Sequence, residues 1–97
     1  MADVLFHPEA QTEYDEALAW YFARSPNAAK RFETEVDGVL ALMSTNPGMF
    51  ARYDDEHRFA VLRRFPYSVV YQVQTHCVYV VAVAHGSRLP GYWQGRA

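Results

Sequence analysis

The hydrophobic periodicity of the chain changes once, near Arg58, from a helical repeat to a strand repeat. Before this point apolar residues recur three and four positions apart, which places them on one face of a helix. After it apolar and polar residues alternate, which places them on opposite faces of a strand. A chain that is helical first and extended later predicts an α+β domain in which the helices cover one face of a sheet.

The first half of the chain predicts a short strand followed by two helices. Residues 4–6 form a brief apolar run, and Pro8 then opens a helix because proline is tolerated in the first turn. The break at residues 25–27 separates this helix from a second one at about 28–44, so that the two form an antiparallel hairpin with a shared apolar side. The predicted apolar stripes are Ala10, Tyr14, Ala17, Leu18 and Tyr21 in the first helix and Phe32, Val36, Val39, Leu40 and Met43 in the second.

The second half predicts a three-strand meander in an antiparallel sheet. The candidate strands are residues 59–65, 67–74 and 77–84, with a hairpin turn at 74–76. The last of these is apolar throughout, which is typical of a strand buried on both faces or central in its sheet. Two glycines and a proline predict a loop after residue 84.

Length and composition agree with one folded domain over residues 1–97, since 51% of the residues are hydrophobic and 21% are charged. The chain has no apolar run of the ~20 residues needed to cross a bilayer, and its first residues lack the features of a signal peptide. One cysteine excludes an internal disulfide, and the place of Cys77 in an apolar strand predicts a buried, unreactive thiol. We therefore expect a cytoplasmic domain that does not bind membranes.

Charge is distributed unevenly along the chain, although the net charge is only −2. Residues 1–56 carry all 11 acidic residues and four basic ones, a net charge of −7, whereas residues 57–97 carry five arginines and no acidic residue, a net charge of +5. This asymmetry indicates one anionic surface and one basic surface that would suit nucleic acid or an acidic protein. The alternative is that the two halves lie against each other and neutralise their charges.

The common catalytic and metal-binding patterns are missing from the sequence. The four histidines lack the close spacing to other ligands that defines a metal site, and the five glycines form no phosphate-binding loop. Residues 54–56 are acidic but fall in a predicted solvated loop. A Ser–His–Asp hydrolase would need a nucleophile motif that the chain lacks. The sequence thus predicts neither a metal nor a cofactor.

The remaining candidates for chemistry are the cationic and aromatic residues near two strand ends, namely Arg63, Arg64, His85, Arg88 and Tyr92. Metal-free RNA cleavage needs a base, a cation for the phosphorane and an acid for the leaving oxygen, which histidine, arginine and tyrosine can supply. Neighbouring residues on a strand point to opposite faces, however, so Arg63 and Arg64 cannot both line one site without a bulge. Tyr92 and Trp93 also fit a simple aromatic plug at the C-terminus, and both interpretations stay open.

Three segments resemble the RelE/ParE toxin superfamily: residues 7–10 (His-Pro-Glu-Ala), 63–71 (Arg-Arg-Phe-Pro-Tyr-Ser-Val-Val-Tyr) and 81–88 (Val-Ala-Val-Ala-His-Gly-Ser-Arg). The ending Pro-Gly-Tyr-Trp at residues 90–93 is similar to the plasmid-stabilisation branch of that superfamily. The resemblance runs over essentially the whole chain. It implies the toxin of a type II toxin–antitoxin pair, held inactive by a small antitoxin that wraps it.

The resemblance also distinguishes two modes of action. In RelE-like nucleases, which cut mRNA on the ribosome, the key arginine falls at Ser68 and two lysines fall at Phe59 and Val61 of this chain. A hydroxyl and two apolar groups cannot stabilise a phosphorane as cations do. The comparison therefore favours ParE-like members, which poison DNA gyrase, and a toxin that acts by binding without catalytic residues.

Two alternatives remain beside the ParE-like hypothesis. One is a ribosome-dependent mRNA endonuclease, and the other is a non-toxic module that still binds an antitoxin. The candidate catalytic residues of a nuclease are Arg64, His85, Arg88 and Tyr92.

An antitoxin is the expected partner under every hypothesis. We expect it to lay a helix or strand across the hydrophobic groove between the helical hairpin and the sheet. An acidic antitoxin tail would be attracted to the basic half of the chain. The expected partner-binding residues there are Arg58, Arg63, Arg64 and Arg88.

Overall fold

The computed structural model describes residues 1–96, in which two helices pack on one face of a five-stranded sheet. The α+β architecture predicted from the periodicity is confirmed. The strand order is β1-β5-β4-β3-β2. The elements are β1 (Asp3–Phe6), α1 (Pro8–Arg24), α2 (Pro26–Thr45), β2 (Ala51–Arg52), β3 (Arg58–Val61), β4 (Tyr67–Val73) and β5 (Cys77–His85).

A single residue, Ser25, separates the two helices. Its backbone N–H donates to Tyr21 O at the end of α1, and its Oγ accepts from Ala28 N at the start of α2. Pro26 therefore occupies the first turn of α2, where its missing N–H is not needed. This is why α2 begins two residues earlier than the predicted 28–44.

The sheet is mixed, and this differs from the fully antiparallel sheet that was expected. β1 pairs with β5 in parallel, whereas β2–β3, β3–β4 and β4–β5 are antiparallel. The periodicity did not predict β2, because a two-residue strand is too short to show one. β3 ends at Val61 rather than at residue 65, since the chain then turns through residues 62–66 into β4. The turn at residues 74–76 is confirmed by the bond from Gln74 N to Cys77 O.

The main core lies between the helices and the sheet. Of the predicted stripes, Ala10, Ala17, Phe32, Val36 and Met43 are buried, and Tyr14, Leu18, Tyr21, Val39 and Leu40 pack against them. Tyr71 is fully buried in this core, and its hydroxyl donates to Pro47 O at 2.6 Å. The helical part of the predicted core is therefore confirmed.

The opposite face of the sheet, here called the second face, is covered by the C-terminal segment, residues 86–96. The register of β4 and β5 jumps from Val70–Ala82 to Tyr71–Val80, so Val81 is an extra residue in a β-bulge. Val81 and Ala82 then both pack on the second face with Trp93, which is 3% exposed. β5 is thus buried on both faces, as its apolar sequence predicted. The predicted aromatic plug corresponds to Trp93.

Cys77 differs from its prediction, because it is half-buried rather than buried. It begins β5 beside the hairpin turn, and its Sγ donates to Gln74 Oε1 at 3.3 Å. Among residues 1–96, no helix is long and apolar enough to cross a membrane.

Candidate functional site

The structure brings together three of the candidate residues where β5 ends. Arg88 N donates to His85 O at 3.0 Å and closes a turn, and the Arg88 guanidinium lies 3.9 Å from the centre of the Tyr92 ring. The His85 ring packs edge-on against Tyr67 at 4.9 Å. His85 Nδ1 accepts from the backbone N–H of Ser87 at 3.0 Å and contacts Ser87 Oγ at 2.8 Å. Because Nδ1 accepts a hydrogen bond from the Ser87 backbone, the tautomer that fits this geometry carries its proton on Nε2.

A surface groove of about 420 Å³ lies between α1 and the ends of β4 and β5, and we call it the aromatic groove. Trp20 and Tyr21 line one wall, and Trp20 is 52% exposed. The rims carry opposite charges, because α1 supplies Glu13 and Glu16 and the segment after β5 supplies Arg88. The lining residues are Glu13, Glu16, Ala17, Trp20, Tyr21, Pro66, Tyr67, Val83, His85 and Arg88.

Glu13 joins α1, β5 and the C-terminal segment. Its carboxylate accepts from Tyr92 OH at 2.6 Å, from Arg96 at 3.0 and 3.1 Å, and from Val83 N at 3.0 Å. Arg96 also donates to Val81 O at 2.9 Å. β1 stops pairing at Val80, so these side chains satisfy backbone groups of β5 that have no strand beside them.

The network determines the protonation of Tyr92. Burial raises the pKa of the Tyr92 phenol, and the hydrogen bond to the negatively charged Glu13 raises it further, well above the ordinary value of 10.0. At neutral pH the phenol is therefore a protonated hydrogen-bond donor to Glu13. Tyr92 consequently positions the C-terminal segment and is not free to act as a base.

The three positions at which RelE-like nucleases carry an arginine and two lysines lie on the second face of the sheet. Phe59 and Ser68 line a cavity of about 200 Å³, and Arg88, Tyr92 and Trp93 line it as well. Val61 is 63% exposed at the end of β3. The walls of this cavity are largely aromatic and aliphatic.

Arg63 and Arg64 lie in the turn between β3 and β4, and they line a cavity of about 320 Å³ together with residues of α2. The alternation of a strand does not apply in a turn, so both arginines reach the same cavity and no bulge is needed. The expectation that they belong to a strand was wrong, because β3 ends at Val61. His85 lines two other cavities, and Arg63 and Arg64 are not among the lining residues of either one.

Arg58 lies apart from Arg88 and from the pair Arg63 and Arg64. Its Nη1 donates to Phe50 O at 2.7 Å, and it lines a cavity of about 550 Å³ beside the acidic turn at residues 54–56. The four cations expected to bind a partner therefore occupy three different surfaces, with Arg63 and Arg64 together, Arg88 apart and Arg58 apart.

The acidic turn is organised by Asp54. Its Oδ1 accepts from the backbone N–H groups of Glu56 at 2.8 Å and His57 at 2.7 Å, and it lies 2.9 Å from His57 Nδ1. The His57 ring packs on Trp93 at 4.6 Å. Desolvation raises the pKa of Asp54, but its hydrogen bonds with Glu56, His57 and Gln94 outweigh that effect and lower it to about 2. No group of three His, Cys, Asp or Glu side chains in residues 1–96 is arranged to hold a metal ion.

Two important residues were not identified from the sequence. Periodicity and motifs do not distinguish Glu13 from the other acidic residues of the first half, or Arg96 from the other four arginines of the second half. The opposite charges of the two halves were the available signal, since these residues form an ion pair at 3.0 Å across them.

Comparisons with known proteins agree with the fold. The family model described as ParE toxin of type II toxin-antitoxin system, parDE, matches residues 4–90. Toxin ParE2 of Mycobacterium tuberculosis, in strains CDC 1551 / Oshkosh and ATCC 25618 / H37Rv, is 28% identical over 85 residues, which are 87% of this chain and 81% of the relative. A solved structure described as the chromosomal ParDE TA system from P. aeruginosa has a TM-score of 0.73 at 15% identity and covers 88% of this chain and 96% of that chain.

Proposed function

Because this chain belongs to the ParE toxin family of type II toxin–antitoxin systems, we propose that it is a toxin that acts by binding a protein and is neutralised by an antitoxin. The proposed target is DNA gyrase. Under this hypothesis the important residues are those that contact the target protein. The chain itself carries out no covalent step.

The composition of the second face carries this proposal. Phe59 and Ser68 occupy two of the three positions at which RelE-like nucleases carry cations, and they line one cavity together with Tyr92 and Trp93. Stabilising a phosphorane requires cationic donors aimed at its oxygens, in a site that substrate can enter. The walls of this cavity are mostly apolar, and Arg88 is the cation among its lining residues. This composition supports binding rather than phosphodiester cleavage.

The aromatic groove is the proposed antitoxin site. It offers Trp20, Tyr21 and Tyr67 to apolar side chains of an amphipathic segment, while its two rims carry opposite charges. Exposed aromatic residues in a groove are typical anchors for a docked helix or strand. The similar P. aeruginosa structure is described as a ParDE toxin–antitoxin system, which supports an antitoxin partner for this chain as well.

Pulse labelling after induction in a bacterial host tests the proposal. DNA synthesis is expected to fail before protein synthesis, and purified protein is expected to inhibit supercoiling by gyrase. Earlier failure of protein synthesis would contradict it. If neither synthesis changes while the protein accumulates in soluble form, the chain is a non-toxic antitoxin-binding module.

The one alternative activity with structural support is the endonuclease, because His85, Arg88 and Tyr92 line the same cavity as Ser68. The double variant His85→Ala/Arg88→Ala separates the two functions. Under the binding hypothesis it stays toxic, to the same degree as the matched variant His76→Ala/Arg52→Ala, which changes an exposed histidine and an exposed arginine elsewhere. Loss of toxicity in a folded His85→Ala/Arg88→Ala variant, with the matched variant still toxic, would favour the nuclease.

A further inference from the structure

Four cationic side chains meet where the second turn of α2 faces the turn between β3 and β4. Lys30 and Arg31 come from the helix, Arg63 and Arg64 come from the turn, and together they line a surface cavity of about 320 Å³. We call these four residues the basic patch. All four are exposed.

The basic patch is not neutralised by the chain itself. None of its four cations forms an ion pair with a carboxylate within residues 1–96. Glu35 lines the same cavity, but its carboxylate accepts a hydrogen bond from the backbone N–H of Arg63. That bond holds the turn against the helix and leaves both arginine side chains available to a ligand.

Lys30 and Arg31 lie one turn beyond the N-terminus of α2. The N-terminus of a helix carries a partial positive charge, and α2 has no acidic residue in its first turn. Cations near such an end do not stabilise the helix, so Lys30 and Arg31 are not explained by helix stability. Their placement beside Arg63 and Arg64 is instead what an anion-binding surface requires.

We propose that the basic patch binds an acidic peptide segment of a protein partner. The patch is compact, and the neighbouring surface of the helical hairpin is acidic. The pKa of Tyr14 reflects these acidic neighbours. Burial raises this pKa, and the negative charges of the nearby Asp37, Glu33 and Asp15 raise it further, to about 12. A nucleic acid that extended beyond the patch would be repelled there, whereas a short acidic segment ends within it. The proposal is independent of the proposed toxin activity, because it assigns a binding surface and not a target.

Binding of a synthetic peptide of alternating Glu and Ala residues tests this proposal, with the Gln-Ala peptide as the uncharged reference. The Glu-Ala peptide is expected to bind the native protein at low salt and to bind Arg63→Gln/Arg64→Gln about tenfold more weakly. Lys30→Gln/Arg31→Gln is expected to give a similar loss. Neither variant removes the backbone bond from Arg63 N to Glu35, so both are expected to remain folded.

The matched control is Arg24→Gln/Arg52→Gln, which removes two exposed arginines elsewhere and so changes the net charge equally. It is expected to weaken peptide binding by about twofold or less. If this control lost as much peptide affinity as the patch variants, the effect would come from net charge alone, and the proposal would be overturned. Tighter binding of a single-stranded RNA of the same length, with the same dependence on Arg63 and Arg64, would overturn it in favour of a nucleic-acid surface.

Discussion

At the scale of single residues, the carboxylate of Glu13 takes the place of a missing strand. It accepts hydrogen bonds from Tyr92, Arg96 and the backbone of Val83, while its side chain is only 14% exposed and that of Arg96 is 11% exposed. A charge that is so largely withdrawn from water is stable only when its partners are in place.

Replacing Glu13 by Gln is expected to destabilise the fold by about 2 to 3 kcal/mol, because Arg96 would keep its largely buried charge without the main carboxylate that pairs with it. Urea unfolding monitored by circular dichroism measures the change. Glu16→Gln, on the exposed side of the same helix, is expected to change the free energy of unfolding by about 0.5 kcal/mol or less. Equal effects of the two substitutions would contradict the role given to Glu13.

Asp54 makes the acidic turn sensitive to low pH. Its pKa is lowered from 3.8 to about 2 in the folded protein, so its contribution to stability is fully present above pH 3.8 and is lost as the pH falls towards 2. Asp54→Asn is expected to flatten the dependence of the unfolding free energy on pH between about 4 and 2. Asp55→Asn, at a fully exposed neighbour, should leave that dependence unchanged. A native-like slope in Asp54→Asn would refute this prediction.

At the scale of elements, the C-terminal segment acts as a third layer. Trp93 packs 4.9 Å from the ring of Tyr53 and 4.6 Å from that of His57, and it covers Val81 and Ala82 of the bulge. Hydrogen bonds from Tyr92 and Arg96 to the carboxylate of Glu13 hold the segment against α1. The part of the second face that β5 forms is therefore covered by a segment of eleven residues that contains no regular strand or helix.

The two tryptophans of the chain make a matched pair for testing this layer. Trp93→Ala is expected to cost about 3 to 5 kcal/mol, because it removes a buried aromatic side chain and opens the second face. Trp20→Ala, in the aromatic groove, is expected to cost about 1 kcal/mol or less in stability but to weaken antitoxin binding. Thermal unfolding and titration with the antitoxin measure the two effects. Similar losses of stability in both variants would contradict this division.

At the scale of the whole molecule, stability is expected to be highest in the middle of the sheet. β5 lies between β1 and β4 and is buried by α1 on one side and by the C-terminal segment on the other. β2 lies at the opposite edge and has only two residues, both exposed.

Hydrogen exchange should reflect this arrangement. The amides of Val78 and Val80 are expected to exchange only through global unfolding, whereas those of residues 48–56 exchange through local opening. Increasing urea should therefore accelerate exchange strongly in β5 and weakly in the turn. Equal protection of the two regions would show that stability is uniform, contrary to this expectation.

The charges of the two halves neutralise each other only in part. Within residues 1–96, Arg96 is the one arginine of the basic half that forms ion pairs with the acidic half, through Glu9 and Glu13. Arg88 stacks on Tyr92, Arg58 donates to a backbone carbonyl, and Arg63 and Arg64 contribute to the basic patch. The two halves therefore neutralise each other at Arg96, whereas the other four arginines of the basic half form no ion pair with an acidic residue within residues 1–96.

The sequence by itself determined the layers of the fold, because the period of apolar residues decides which residues share a face. It predicted the helical hairpin with Phe32 and Val36 in its core, the β4–β5 hairpin and the buried character of β5. These features depend on neighbours within a few positions along the chain.

The tertiary structure alone decided how distant segments meet. The parallel pairing of β1 with β5, the clamp of Glu13 on Arg96 and the meeting of Lys30 with Arg63 join residues that are far apart in sequence, and periodicity contains no information about such pairs. The candidate cationic residues lie on separate surfaces for the same reason, because tertiary contacts decide where each one is placed. His85 and Arg88 are brought to the aromatic groove and Arg63 and Arg64 to the basic patch, because the turn after β3 faces α2 whereas the end of β5 faces α1.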